Sequence, residues 1–221
     1  MAKYLGVDCE FGGFMPEASL LTVGLSVRNS DFVEIDSLHL NVYPENGIYI
    51  VTPEALEITG IDLLEHSRIA KPADKCSEEI RKFIKRHACV GFDEEYKREI
   101  VHKLTAVGHS VKDDIEKIKA HFPDCKWLRY VGFRYVDTLV IGWFLQSIGV
   151  IPPMKMGLAA ALSVASPSYK FKPHNALEDA RASLELLKSW RSVIDLTVSK
   201  DIWDLYERIL ECEEESNWKS G

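Results

Sequence analysis

Five side chains in this sequence are of types that could share one piece of chemistry: Asp8, Glu10, Asp114, Asp179 and His174. Asp8 and Glu10 end a short apolar run, Tyr4-Leu-Gly-Val-Asp-Cys-Glu10, and stand one residue apart. Alternation at period two puts both on one face of a strand, with Leu5, Val7 and Cys9 on the other. Like charges on one strand face repel and lose hydration, so they need a cation or a proton. Carboxylate oxygens suit magnesium or manganese. The alternative is a strand that simply runs out into solvent after Val7, and the rest of the chain has to decide.

Asp114 and Asp179 are each placed by a helix start. Leu104-Thr-Ala-Val-Gly108 reads as a compact strand, followed by His109 and Ser110. Val111, Ile115, Ile118 and Phe122 then recur on one helical face. Asp114 shares that apolar side with Val111 and Ile118, where the helix dipole would help to keep it ionised. Ser110 and Asp113 read as a capping box with Asp in the usual place of Glu. Asp179 belongs to a helix expected from Ala176 to about Ile194. Its small residues Ala176, Ala180 and Ser183 would let it lie close on a sheet. A loop carrying Lys170, Lys172 and His174 leads into it.

Singly, each residue has an ordinary reading: strand-end acids, a second cap beside Asp113, a first-turn helix acid, a loop histidine. Their places in the chain join them. Strand ends and helix starts gather at one rim of an α/β sheet, where binding sites form. Four carboxylates there could hold two divalent cations about 4 Å apart, serving the attacking water and the leaving oxygen of a phosphodiester. His174 could take that water's proton, since imidazole titrates near neutrality.

The remaining elements build an α/β fold with a mixed sheet flanked by helices. Residues 19–28 and 32–43 read as a hairpin beside the first strand. Thr52-Pro53 opens a short helix that Thr59-Gly60 closes. Ser77 to His87 is a further helix, and Gly91 to Lys103, with Phe92, Tyr96 and Ile100, is spaced for another on the surface. Residues 133–140 form a strand leading into a helix through Trp143 and Phe144, and Met156 to Val164 a shorter helix. Asp201 to Leu210, with Trp203, Leu205, Tyr206 and Ile209, is amphipathic. One domain is expected over 1–195, with 196–221 a C-terminal helix and acidic tail packed on it. That helix could equally meet a second subunit in a homodimer.

Among the 221 residues, 46% are apolar and 28% charged, as in an ordinary globular protein. The net charge of −7 excludes a protein that coats nucleic acid indiscriminately. It leaves room for a local basic groove. From Lys126 to Asn175 the bases Lys126, Arg129, Arg134, Lys155, Lys170 and Lys172 face a single acid, Asp137, so this window suits backbone contacts. Its tyrosines, Trp127 and Phe171 could stack on bases or fill the core. The cysteines at 9, 76, 89, 125 and 212 lack ligand spacing, so reduced thiols and a cytoplasmic setting are expected. No signal peptide is expected before Asp8, and the apolar run 139–151 is too short for a membrane span.

Taken together, Asp8-x-Glu10, Gly108-His-Ser-x-x-x-Asp114 and His174-x-Ala-x-x-Asp-Ala180 resemble the three exonuclease motifs of the DEDD superfamily. The histidine five residues before the last aspartate resembles the DEDDh branch, which includes the proofreading subunit of bacterial replicative polymerase. The resemblance runs from about residue 4 to residue 190 and includes Pro53-Glu-Ala-Leu…Thr-Gly-Ile61 and Asp137-Thr138. It implies a ribonuclease H-like fold and a 3′–5′ exonuclease that releases nucleoside 5′-monophosphates from single-stranded DNA or RNA, with two Mg²⁺ or Mn²⁺ ions. Asp8 would bridge both ions, Glu10 and Asp179 would complete the site of the ion with the attacking water, Asp114 would serve the second, and His174 would be the general base.

Relatives often carry Thr-Thr-Gly or Met-Thr-Gly where this chain has Phe11-Gly12-Gly13, so contacts to the terminal nucleotide fall to backbone at Gly12 and to Phe11 or Phe14. Asp113 stands where many relatives have an aromatic residue, and the 91–103 stretch is longer than in many. His109 is counted near the substrate, although it more readily orders the strand–helix junction. Leu104 to Asp114, with Ser110-Val111, and the later Trp127-Leu-Arg-Tyr130 lean toward oligoribonucleases and Pro53–Ile61 toward proofreading enzymes, which leaves the sugar and any polymerase association open. An inactive nucleic-acid-binding or scaffold protein, a phosphatase and an endonuclease are the other classes, and circular single-stranded DNA separates the last from an exonuclease.

Overall fold

A computed structural model describes residues 3–93 and 97–196. Its centre is a five-stranded mixed sheet of β1 (Tyr4–Phe11), β2 (Leu20–Arg28), β3 (Glu34–Asn41), β6 (Leu104–Gly108) and β7 (Val131–Asp137), in the order β3-β2-β1-β6-β7. β1, β2 and β3 pair antiparallel, whereas β6 and β7 run parallel to β1. This is the α/β, ribonuclease H-like arrangement expected of the sequence. The strand C-termini of β1, β6 and β7 therefore share one rim.

The two faces of β1 are unequal. Leu5, Val7 and Cys9 are buried in a cluster with Val23, Leu25, Ile80, Ile84, Ile118 and Phe122, beneath α3 (Ala73–His87) and α4 (Lys112–His121). The other face carries Gly6, Asp8 and Glu10, opposite Ser26, Gly24 and Thr22 of β2. The last described helix, residues 176–196 and here α8, lies on this second face. A Cβ on Gly6 would stand 2.5 Å from the Ala180 carbonyl oxygen, and one on Gly24 2.1 Å from the Ala176 carbonyl carbon. Two glycines on adjacent strands thus let the small-residue stripe touch the sheet backbone. A second cluster joins α8, through Leu186 and Trp190, to α6 (Thr138–Ser147) and α7 (Leu158–Ala165).

Local signals act as the residue types require. Thr52 Oγ1 accepts the Ala55 amide at 3.2 Å to start α1 (Pro53–Thr59), and Gly60, at φ +67°, ends it. Asp62 caps a further helix, α2 (Leu63–Ile69), which the sequence reading did not anticipate. α3 begins after Pro72, one turn before the expected Ser77. α5 (Trp127–Tyr130) is a single turn whose Trp127 and Tyr130 are buried in the core, out of reach of bases.

Two expectations are corrected. The 91–103 stretch is no surface helix: β4 (Cys89–Asp93) and β5 (Arg98–His102) pair antiparallel, with Val90 opposite Val101 and Gly91 opposite Ile100. Its β-branched residues find cross-strand partners that the charges between them concealed. Ser110 is no cap either: it sits at φ +66°, Val111 occupies the cap position, and no side chain caps α4. Asp137 Oδ1 takes the Ser110 amide at 3.0 Å and the Leu139 amide at 3.0 Å, so one carboxylate ties the α4 entrance to the start of α6. The pattern at 201–210 and the 196–221 tail lie, apart from Leu196, outside the described residues. Among the described residues no helix is long and apolar enough to cross a membrane.

Candidate active site

The parallel pairing of β1 with β6 stops at Gly6–Val107, although β1 continues to Phe11. Beyond that point the α4 entrance fills the gap. Gly108 permits it, because a Cβ there would come within 2.6 Å of the Val111 side chain and 2.7 Å of the Val7 carbonyl oxygen. Asp114, in the first turn of α4, is thereby buried and hydrogen-bonded by the Cys9 backbone. From the other side, Ala176 and Ala180 settle onto Gly24 and Gly6, which brings the intervening Asp179 over Asp8. Two separate elements, α4 and α8, thus converge on β1.

The electrostatics record that convergence. Burial and then the charges of Asp114, Asp179 and Glu10 push Asp8 well above the usual carboxylate range. Burial, followed by Asp179, raises Glu10 to about 7. Burial raises Asp114 to about 8 against the opposing hydrogen bond from Cys9, with Asp113 and Glu10 adding to the rise. Burial raises Asp179 to about 6, opposed by the backbone and the charge of His174. Four acids are held together with their mutual repulsion and burial outweighing the charge of His174, a state that a divalent ion would relieve.

His174 stands at the mouth of the site in the left-handed region, at φ +62°. Its amide donates to Asp179 Oδ2 at 2.8 Å, and Asn175 Oδ1 accepts the Glu178 amide at 3.2 Å to open α8. A non-glycine residue in this conformation costs about 1–3 kcal/mol, which the hydrogen bond to Asp179 offsets. The arrangement gathers one ligand atom each from Glu10, His174 and Asp179 within 4.8 Å of one another, a spacing that could hold a metal ion.

The other expected residues lie as follows. Phe14 is fully exposed on the loop after β1, while Phe11 packs partly on the core with Lys117 Nζ 5.9 Å from its ring centroid. Gly12 spends both backbone groups internally, donating to Ser19 O at 2.8 Å and accepting from the Thr52 amide at 2.6 Å. His109 is half-buried, with Nδ1 3.0 Å from Thr138 Oγ1 and Nε2 against the Met156 carbonyl. Burial lowers its pKa, and Nε2 donates to the Met156 carbonyl, while the Thr138 hydroxyl donates to Gly108 O at 3.1 Å. Asp113 is exposed. Lys170 donates to Pro167 O at 3.3 Å, and Lys172 lines a cavity beside the site.

That cavity, about 240 Å³, is walled by Glu10, His174 and Lys172 and by four residues the sequence reading missed, Thr22, His39, Asn41 and His66. The signal for Thr22 was available in β2, where Thr22, Gly24 and Ser26 interrupt the apolar run at period two. His39 and Asn41 follow only from the β2–β3 register, which no local pattern contains. A larger groove of about 830 Å³, between the 43–50 loop and the start of α3, includes none of the four carboxylates.

No family model matches this chain, and no curated protein matches it. Solved structures do. Exonuclease I of E. coli in complex with a dT13 oligonucleotide superposes with a TM-score of 0.67 at 16% identity, covering 90% of this chain and 43% of that one. A moderately thermophilic Exonuclease I from Methylocaldum szegediense gives 0.65 at 16%, again covering 90% and 43%. The zinc-bound form of the E. coli enzyme with single-stranded DNA gives 0.65 at 15%, with the same coverages. Over nine-tenths of its length this chain has the fold found in these exonucleases, and it spans less than half of theirs.

Proposed function

We propose that this chain is a divalent-metal-dependent exonuclease that removes nucleotides from the 3′ end of single-stranded nucleic acid and releases nucleoside 5′-monophosphates. The observation that carries this reading is the meeting of Asp8, Glu10, Asp114 and Asp179 with His174 at the strand-end rim. The donor set is all oxygen and mutually repelling, which fits magnesium or manganese. Two such ions would supply Lewis acidity at both oxygens that change partners at the scissile phosphorus.

Within the set, Asp8 meets the charge of each of the other three acids and would help to hold both ions. Glu10 and Asp179 lie with His174 and are assigned to the side of the attacking water, and Asp114 to the leaving side. His174 accepts the water's proton as the oxygen bonds to phosphorus. The bond from phosphorus to the 3′ oxygen of the preceding nucleotide breaks, and that oxygen takes a proton from solvent water. Exposure at the mouth gives His174 room to move, while the hydrogen bond from its backbone N–H to Asp179 Oδ2 keeps it in range. Lys172 and Phe14 are assigned to the substrate, Lys170 to its outer backbone, and His109 to positioning the α4 entrance. The oligonucleotides seen with the E. coli enzyme support a single-stranded substrate.

The test uses matched 5′-labelled DNA and RNA oligomers with magnesium or manganese, beside circular single-stranded DNA. A ladder shortening from the 3′ end, abolished by chelation, with circles intact, is expected, and the two rates rank the sugars. Cut circles, or no hydrolysis with either metal, would overturn the proposal. The Glu10–His174–Asp179 spacing also favours a second reading, with His174 as a metal ligand. In that case replacing it would weaken metal affinity together with turnover.

A further inference from the structure

Helix α6 is apolar on both sides. Thr138, Gly142 and Leu145 face inward and are buried. On the outer side Val140, Trp143, Phe144 and Ile148 are 58%, 58%, 58% and 54% exposed. Their spacing puts them on one continuous stripe. A helix apolar all round belongs in an interior, and a stripe of this kind marks a surface that something covers.

The chain itself carries a matching piece. Trp190 Nε1 of α8 donates to Thr138 O at 3.3 Å, and Val193 and Ile194 pack on the cluster that contains Leu145. The chain therefore leaves α8 beside α6, with Leu196 already 75% exposed. Only residues 197–200 separate this point from the stretch at 201–210, whose Ile202, Trp203, Leu205, Tyr206, Ile209 and Leu210 recur at spacings of three and four. Five residue steps reach about 17 Å, more than the width of a helix at about 10 Å. Tethering so close gives the segment a high effective concentration at α6.

We propose that the outer face of α6 is the seat of the chain's own segment 201–210. This inference is independent of the nuclease reading. It is tested by a double-mutant cycle in the full chain, with Phe144→Ser, Trp203→Ser and the pair. Each single change should lower Tm by about 4–8 °C, and the pair should fall little further than the worse single change. Additive losses, or a Phe144→Ser variant as stable as the parent, would overturn it. A photoreactive benzoylphenylalanine replacing Phe144 supplies a readout on the folded protein. Crosslinks within one chain to the peptide bearing Trp203 are expected. Crosslinks between chains, with a dimer by light scattering, would assign the face to a second copy and reject the proposal.

Discussion

Replacing Asp114 by Asn should make the metal-free protein more stable. Burial and neighbouring charge carry this carboxyl from its ordinary 3.8 to about 8. A folded-state pKa raised above the unfolded one means that the native protein binds more protons than the unfolded chain across that window. Stability is then highest below about pH 4 and is lost as pH rises toward 8. At 1.36 kcal/mol per pH unit the ceiling is about 5–6 kcal/mol. The four acids titrate together and relax one another, so about 2–3 kcal/mol is expected from a single replacement. For a chain of this size that is roughly 5–10 °C in Tm. The assay is thermal unfolding of both proteins in chelator at pH 5 and pH 8. Asp114→Asn should gain at pH 8 and show a much smaller difference at pH 5, where the parent carboxyl is already protonated. Saturating magnesium should shrink or reverse the gain, because only the parent keeps its full ligand set. An equal Tm difference at both pH values, or none at pH 8, would refute the reasoning.

His174→Ala should lower turnover by on the order of 10²–10⁴-fold while magnesium affinity is kept, measured by single-turnover hydrolysis over a metal titration. Gly24→Ala should destabilise the fold by about 1–3 kcal/mol and impair turnover, because its methyl meets the Ala176 backbone at 2.1 Å; unfolding and activity measured together check this. His109→Ala should cost about 1–3 kcal/mol through the Met156 carbonyl it leaves unpaired, with turnover reduced far less than in His174→Ala.

The sequence made the acid-bearing elements legible because each is bounded by a sharp change of residue type. β1 passes from Val7 to Asp8, and α4 carries a lone acid among Val111, Ile115 and Ile118. Small residues on α8 announced its close approach, but the receiving glycines could be paired with them only in three dimensions. What escaped was non-local. The β4–β5 hairpin looked helical because Phe92, Tyr96 and Ile100 also satisfy a four-residue spacing. Ser110 looked like a cap until Asp137, on another strand, claimed its amide. His39, Asn41 and His66 reach the cavity through register and helix docking, which leave no mark along the chain.

The way β1 is flanked sets the order in which the four acids can be assembled. Its antiparallel neighbours β2 and β3 follow at once in the chain, so Asp8 and Glu10 can be positioned early in synthesis. Asp114 arrives only after β6 has found β1 from a hundred residues away, and Asp179 only with α8, near the end of the described chain. Contacts of such long sequence separation form late. Under the proposed function, a nascent chain therefore carries Asp8 and Glu10 long before Asp179, the last of its four acids, emerges from the ribosome. Ribosome-stalled chains ending near residue 150 are expected to hydrolyse nothing, and chains extended past α8 to gain activity on release.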